Sequence, residues 1–263
     1  MSVRPRCARA FGVWFLLVLT AGAARAGAWL MPPGEGQIIA GTAFSGSSRA
    51  FDAHGKLIPV PSYKKFELGS YIEYGLTDWL TLVVAPAYDV IRQPAPADSY
   101  TGPGESGIGG RFRLFQSDAF VASLQATLLT PGASFNGAEP HRAGAIDLRG
   151  MAGASFKIGE WAAFADAAAG YRLYAQGQPG EWKLDLTLGV RPLPQLLVLL
   201  QGFGSMQTNK SADFPRSSWG KLQGSFVYDL SFAWSAQLGA FVTVAGKNAG
   251  RELGPMAAIW YRF

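Results

Sequence analysis

These 263 residues are 49% hydrophobic and hold 33 Gly, 17 Phe, 9 Tyr and 8 Trp. Beyond residue 26, however, no stretch reaches the roughly 18 uninterrupted apolar residues of a membrane-crossing helix. Four of the 23 Lys and Arg lie in the first 26 residues and none of the 18 Asp and Glu do, so the formal charge of +5 falls to +1 for the rest. That balance leaves no basic face for nucleic acid, and the one cysteine, Cys7, excludes disulfide chemistry from everything that follows it.

The chain opens as a secretory signal. Arg4, Arg6 and Arg9 precede the short apolar run Phe11–Leu19, and Ala24-Arg25-Ala26 offers a small-x-small cleavage site before Gly27. Residues 1–26 are therefore expected to be removed, Cys7 with them, leaving residues 27–263 as one domain.

From Gly36 onward the chain reads as strands of about ten residues with alternating character, the pattern of a transmembrane β-strand. Twelve are expected: Gly36–Gly46, Tyr63–Gly75, Trp79–Gln93, Gly107–Phe115, Phe120–Pro131, Ala143–Lys157, Trp161–Ala175, Glu181–Arg191, Leu196–Thr208, Ser218–Tyr228, Phe232–Ala245 and Arg251–Phe263. Connections after even-numbered strands are short, such as Leu76-Thr77-Asp78 and Gln116-Ser117-Asp118. Those after odd-numbered strands are mostly longer, such as Ser47–Ser62, Pro94–Ser106 and Gly132–Arg142. Short turns on one side and long loops on the other are the asymmetry of an outer-membrane barrel. The fold class is thus all-β, a transmembrane antiparallel up-and-down β-barrel of about twelve strands. An even count places both ends of the barrel on the periplasmic side.

Alternation also assigns the faces. Phe66, Leu68, Ile72 and Tyr74 alternate with Lys65, Glu67 and Glu73; Trp182, Leu184, Leu186 and Leu188 alternate with Lys183, Asp185 and Thr187. A charge on the lipid face costs roughly 2–4 kcal/mol at the midplane, so the charged set is expected inside. The predicted lumen lining is Lys65, Glu67, Glu73, Asp89, Arg111, Arg113, Asp147, Arg149, Arg172, Lys183, Asp185, Arg191 and Lys221, with Asp166 and Arg262 also inward. Trp79, Phe115, Phe120, Trp161, Tyr228, Phe232 and Phe263 are expected to form a periplasmic aromatic girdle, and Tyr63, Tyr88, Tyr174, Trp182 and Trp219 an outer one. Two segments fit less well. Leu196–Leu200 is apolar on both faces, as a buried strand or part of a plug would be, and the Ala-rich 162–169 alternates poorly and can also be read as helix.

The last residues, Ala257, Ile259, Tyr261 and Phe263, share one face and end on an aromatic. This ending resembles the closing strand of outer-membrane barrels, which implies that Phe263, Tyr261 and Ile259 are read by the barrel-assembly machinery. Three further segments carry a resemblance: Tyr74-Gly75-Leu76-Thr77-Asp78-Trp79-Leu80, Gly107-Ile108-Gly109-Gly110-Arg111-Phe112-Arg113-Leu114 and Pro32-Pro33-Gly34-Glu35-Gly36-Gln37. They are similar to motifs of the outer-membrane proteins associated with phenol meta-pathway degradation, a group of transporter-like barrels. The resemblance implies an outer-membrane location and uptake of small solutes. Family members carry Asp after the second Gly of the strand motif; this chain has Gly109-Gly110 there.

Catalysis finds little support. The two histidines, His54 and His141, fall in loops, each two residues after an acid, Asp52 and Glu139. No Ser-His arrangement of a barrel lipase is present, a shared metal site would need two loops to meet, and Gly102–Gly109 lacks the Lys-Ser/Thr of a phosphate loop. No enzyme activity, metal or cofactor is expected. The partners expected are outer-membrane lipid, the barrel-assembly machinery and a small-molecule solute. A closed barrel acting through its outer loops is the alternative, and a barrel hydrolase with His54 or His141 in its site the remote one.

Overall fold

A computed structural model describes residues 27–95, 99–132, 144–209 and 215–263. The described residues form a closed antiparallel barrel of twelve strands with no helix. In chain order these are β1 (Gly36–Phe51), β2 (Leu57–Thr77), β3 (Leu80–Ala85 and Ala87–Arg92), β4 (Tyr100–Pro103 and Gly107–Gln116), β5 (Phe120–Leu129) and β6 (Ala145–Ile158). They continue as β7 (Trp161–Tyr174), β8 (Glu181–Leu193), β9 (Leu196–Gln207), β10 (Ser218–Asp229), β11 (Trp234–Lys247) and β12 (Ala249–Gly250 and Leu253–Arg262). Each strand pairs with its chain neighbours, and β1 pairs with both β2 and β12, so no edge is left open. Closure gives each strand a partner on both sides, the condition for crossing a bilayer with strands.

The seam is sealed at its end by the last residue. Gly36 N–H donates to the Phe263 carbonyl at 2.8 Å, and Phe263 N–H donates back to Gly36 at 3.0 Å. The Phe263 ring lies where a side chain on Gly36 would sit, 2.3 Å from an ideal Cβ, so a larger residue at 36 would displace that ring. Outside the seam Phe263 stacks on Tyr74 and Tyr261, and Tyr261 packs on Trp234.

The usual ordering of burial is inverted. Leu68, Ile108, Leu128, Leu148, Leu186, Phe226 and Leu238 point outward and are exposed, whereas Glu73, Asp89, Arg111 and Asp147 are buried inside. A soluble monomer rarely shows so continuous an apolar belt; a lipid-facing barrel requires it.

Several expectations change in detail. The first hairpin is longer than the alternation suggested, since β1 runs to Phe51 and β2 starts at Leu57, so most of Ser47–Ser62 is ladder. The third strand breaks at Pro86, which has no N–H for the ladder, and β4 breaks at the same height. Ser106 Oγ there accepts from the Ala87 N–H at 2.9 Å, while Ser70 N–H donates to the Pro86 carbonyl at 3.0 Å. Beyond the break Tyr100–Pro103, expected as loop, pairs with β3. The Ala-rich 162–169 is strand, paired on both sides. Three aromatics expected in the outer girdle, Tyr63, Tyr174 and Trp219, instead face inward, because each has the parity of an inward charge: Lys65, Arg172 and Lys221. Loop 132–142 and His141 lie almost wholly outside the described residues.

Candidate functional site: the barrel interior

The interior is layered from the short-turn end to the long-loop end. The lowest layer is apolar. Leu197, Leu199, Val227, Ala258 and Trp260 form a buried cluster, joined by Ile39 and Phe164. The doubly apolar run of β9 is explained by this cluster: its even residue Leu200 meets lipid, and its odd residues fill the barrel. Trp260 Nε1 donates to Gln237 Oε1 at 2.9 Å, so the one polar atom of that ring is satisfied.

Residues 27–35, ahead of β1, turn back into the barrel and close this end. Gly34 N–H donates to the Gly75 carbonyl at 2.9 Å, Gly75 N–H donates to Glu35, and Pro33 forms a parallel bridge with Gly75. Met31 N–H then donates to Thr81 Oγ1 at 2.9 Å; the Trp29 carbonyl accepts from Arg111 Nη1 at 2.8 Å; the Ala28 carbonyl accepts from Ser123 Oγ at 2.9 Å. The Trp29 ring meets Phe164 edge-on at 5.9 Å, and Ala28 and Leu30 are buried. Two glycines make the room. A Cβ on Gly75 would lie 2.1 Å from the Pro32 carbonyl, and one on Gly153 would lie 2.6 Å from the Trp29 ring. The segment thus crosses from β2 over β3, β4 and β5 toward β6 and β7.

Arg111 ties the segment to the wall. Its side chain is 1% exposed, and all five of its N–H donors are used: Nε and Nη2 to Gln125, Nη2 also to Tyr71, Nη1 to Glu73 at 2.7 Å and to Trp29. A buried guanidinium is tolerated only when it is fully partnered in this way.

Above Arg111 the charges pair in separate groups. Asp147 takes Arg149 at 2.6 Å and Arg172 at 2.9 Å; Arg149 also holds Asp185, and Arg172 reaches Glu105 at 2.7 Å. Lys65 lies between Glu67 and Asp89, Lys183 pairs with Glu181, and Lys221 pairs with Glu252. Lys183 and Lys221 flank the Trp219 ring at 5.6 and 5.3 Å, a cation–π arrangement. Of these, Glu67, Glu105, Arg149, Arg172, Lys183, Asp185, Lys221 and Trp219 line a cavity of about 610 Å³, bounded on the other wall by Ile39, Ala43, Met256 and Ala258. Tyr71 lines the cavity and also holds Arg111, so it joins the open compartment to the closed layer below.

The residues expected in the lumen divide accordingly. Lys65, Glu67, Glu73, Asp89, Arg111, Asp147, Arg149, Arg172, Lys183, Asp185 and Lys221 belong to the interior groups. Arg113 and Arg191 have inward parity but sit at the turn-end rim, Arg113 on Gln116 and Arg191 on Asp229 and the Pro194 carbonyl. Asp166 stands apart, 9% exposed, with Oδ2 lacking a hydrogen-bond partner among the described residues. Reasoning from charge alternation missed the neutral partners Thr81, Ser123 and Gln125, which have the same inward parity, and Glu105 and Glu252, which lie at strand margins. It also missed the whole of 27–35.

His54 is in the β1–β2 turn, where its backbone N–H donates to Asp52, and no group of metal-ligating side chains occurs among the described residues.

No protein-family model and no curated protein matches the sequence. Solved structures do match the fold. An outer membrane channel from Pseudomonas putida F1 superposes with a TM-score of 0.68 at 13% identity, over 90% of this chain and 98% of that one. The translocator domain of the autotransporter NalP from Neisseria meningitidis gives 0.53 at 12% identity over 89% and 90%. The NanC porin gives 0.52 at 7% identity over 84% and 98%. At these identities the likeness is one of architecture: the chain is an outer-membrane-type β-barrel.

Proposed function

We propose that the protein is an outer-membrane channel for a small solute, of the type associated with phenol meta-pathway degradation, exported by a cleaved leader spanning residues 1–26. Phe263 and its face would present the strand that the barrel-assembly machinery recognises. One observation carries the channel reading: part of what fills the barrel below the 610 Å³ cavity is not wall but a nine-residue segment, Gly27–Glu35, tied in through Arg111 and Ser123. Wall side chains fill the rest of that layer, and the segment is the one part of it that is not built into the barrel's strands. The cavity joins charged groups to the Trp219 and Phe241 rings and a small apolar wall, which suits a solute with both a polar and an apolar part. Two of the three neighbours are named as a channel and a porin, which supports the same reading.

The test is planar-bilayer conductance of refolded barrel, with insertion confirmed by heat-dependent gel migration. The chain from Gly27 is expected to conduct weakly, and a variant lacking residues 27–33 to open in larger discrete steps. Silence from the inserted deletion variant would reject the channel. It would favour the alternative of a sealed barrel acting through its loops, for which the extensive pairing of interior charges speaks.

A further inference from the structure

Three features meet at one point of the interior. Asp166, on β7, is 9% exposed, and its Oδ2 has no hydrogen-bond partner among the described residues. The nearby guanidinium of Arg111 cannot serve it, because all five Arg111 donors are engaged with Gln125, Tyr71, Glu73 and Trp29. Gly27 lies directly against the same carboxylate. An ideal Cβ on Gly27 would fall 1.6 Å from Asp166 Oδ2, and bond geometry then puts the Gly27 nitrogen within about 4 Å of that oxygen.

We propose that removal of the leader after Ala26 creates the missing partner: the new α-ammonium of Gly27 pairs with Asp166 and latches residues 27–31 across the barrel. This inference rests on the cleavage reading given above. An unpaired carboxylate in a protein interior is costly, and an ammonium within hydrogen-bond reach is its ordinary remedy. A secondary amide at residue 27 supplies no charge; a free terminus supplies a full one together with three donors. The site is therefore completed by processing. It also accepts glycine alone as the first mature residue, because any side chain would occupy the carboxylate's place.

The test uses the full chain expressed with its own leader and purified as folded barrel from outer membranes. Intact mass first locates the terminus. The folded barrel is then treated briefly with an amine-acetylating reagent near neutral pH, and the extent of Nα-acetylation is compared between wild type, Asp166→Asn and Gly27→Ala, with surface lysines as the internal control. The latch predicts a wild-type terminus at Gly27 that reacts at least about tenfold more slowly than in either variant, since each unit of added proton affinity lowers the reactive free base tenfold. Asp166→Asn removes the charge and Gly27→Ala displaces the terminus while keeping it, so the two variants fail in different ways if one does not fold. Equal labelling of wild type and a folded variant would overturn the latch while leaving the cleavage reading intact. A mass that places the terminus elsewhere would overturn both.

Discussion

Single side chains inside this barrel act mainly as members of closed sets. Arg111 holds Glu73, Tyr71, Gln125 and the Trp29 carbonyl together, and removing it would leave the Glu73 carboxylate buried without a counter-ion. Arg111→Ala is expected to lower unfolding stability in lipid by about 3–5 kcal/mol, the usual effect of breaking a buried pair from one side. Denaturant titration of vesicle-inserted protein measures it, and a change within error would show that water repopulates the site. At the surface Asp52 behaves differently. The N–H groups of Lys56 and His54 both donate to it, which holds its carboxyl below the ordinary aspartate value. A depressed folded value means that the turn is favoured while Asp52 is ionised and loosens only as pH falls through that lowered value. NMR titration should therefore place its midpoint below 3.8, and a midpoint at or above it would show the two hydrogen bonds to be absent in solution.

At the scale of strands, period two decides nearly everything, because one face meets lipid and the other meets side chains. Leu186 illustrates the outer face: it sits mid-strand on β8, exposed, between the inward Asp185 and Thr187. Leu186→Lys should cost about 2–4 kcal/mol and reduce the fraction of barrel that refolds into vesicles, read from heat-dependent gel migration; unimpaired refolding would place Leu186 away from the membrane. The same periodicity made the twelve strands and most inward charges legible in the sequence. It also held the answer for Tyr63, Tyr174 and Trp219, whose parity with Lys65, Arg172 and Lys221 outweighs the habit of placing aromatics at the membrane surface. The break at Pro86 was legible in principle from the missing N–H, but not the recruitment of Tyr100–Pro103, which depends on Ser106 bridging to Ala87. Residues 27–35 were not legible at all. Nine residues of mixed character carry no period, and their partners Thr81, Arg111, Ser123 and Gly153 come from four separate strands that only closure brings together.

At the scale of the molecule, two compartments share one wall. The loop-end half holds a 610 Å³ cavity with paired charges, and the turn-end half is filled by the Leu197–Trp260 cluster and the inserted segment. In the proposed channel, passage from one side to the other would require this filled half to open, and the segment is its one part not built into the strands. The deletion of residues 27–33 is accordingly the variant with the largest expected effect, and conductance in steps is its readout. Tyr71 is the contact between the halves, since it lines the cavity while its hydroxyl accepts from Arg111 Nη2 at 2.7 Å. A solute resting against Tyr71 would thus touch a partner of Arg111, the residue that holds the Trp29 carbonyl.

The segment is continuous with β1 through Glu35 and Gly36, whose backbone is pinned by Gly75 and Phe263. If the barrel conducts as proposed, the segment is a plug on a tether of a few residues, present at its own seat at an effective concentration on the order of mM. Such an inhibitor cannot be washed out or diluted, and its occupancy is the same in a crowded membrane as for a single molecule. In the proposed channel the tether, not the level of expression, would thus set how often the segment leaves its seat.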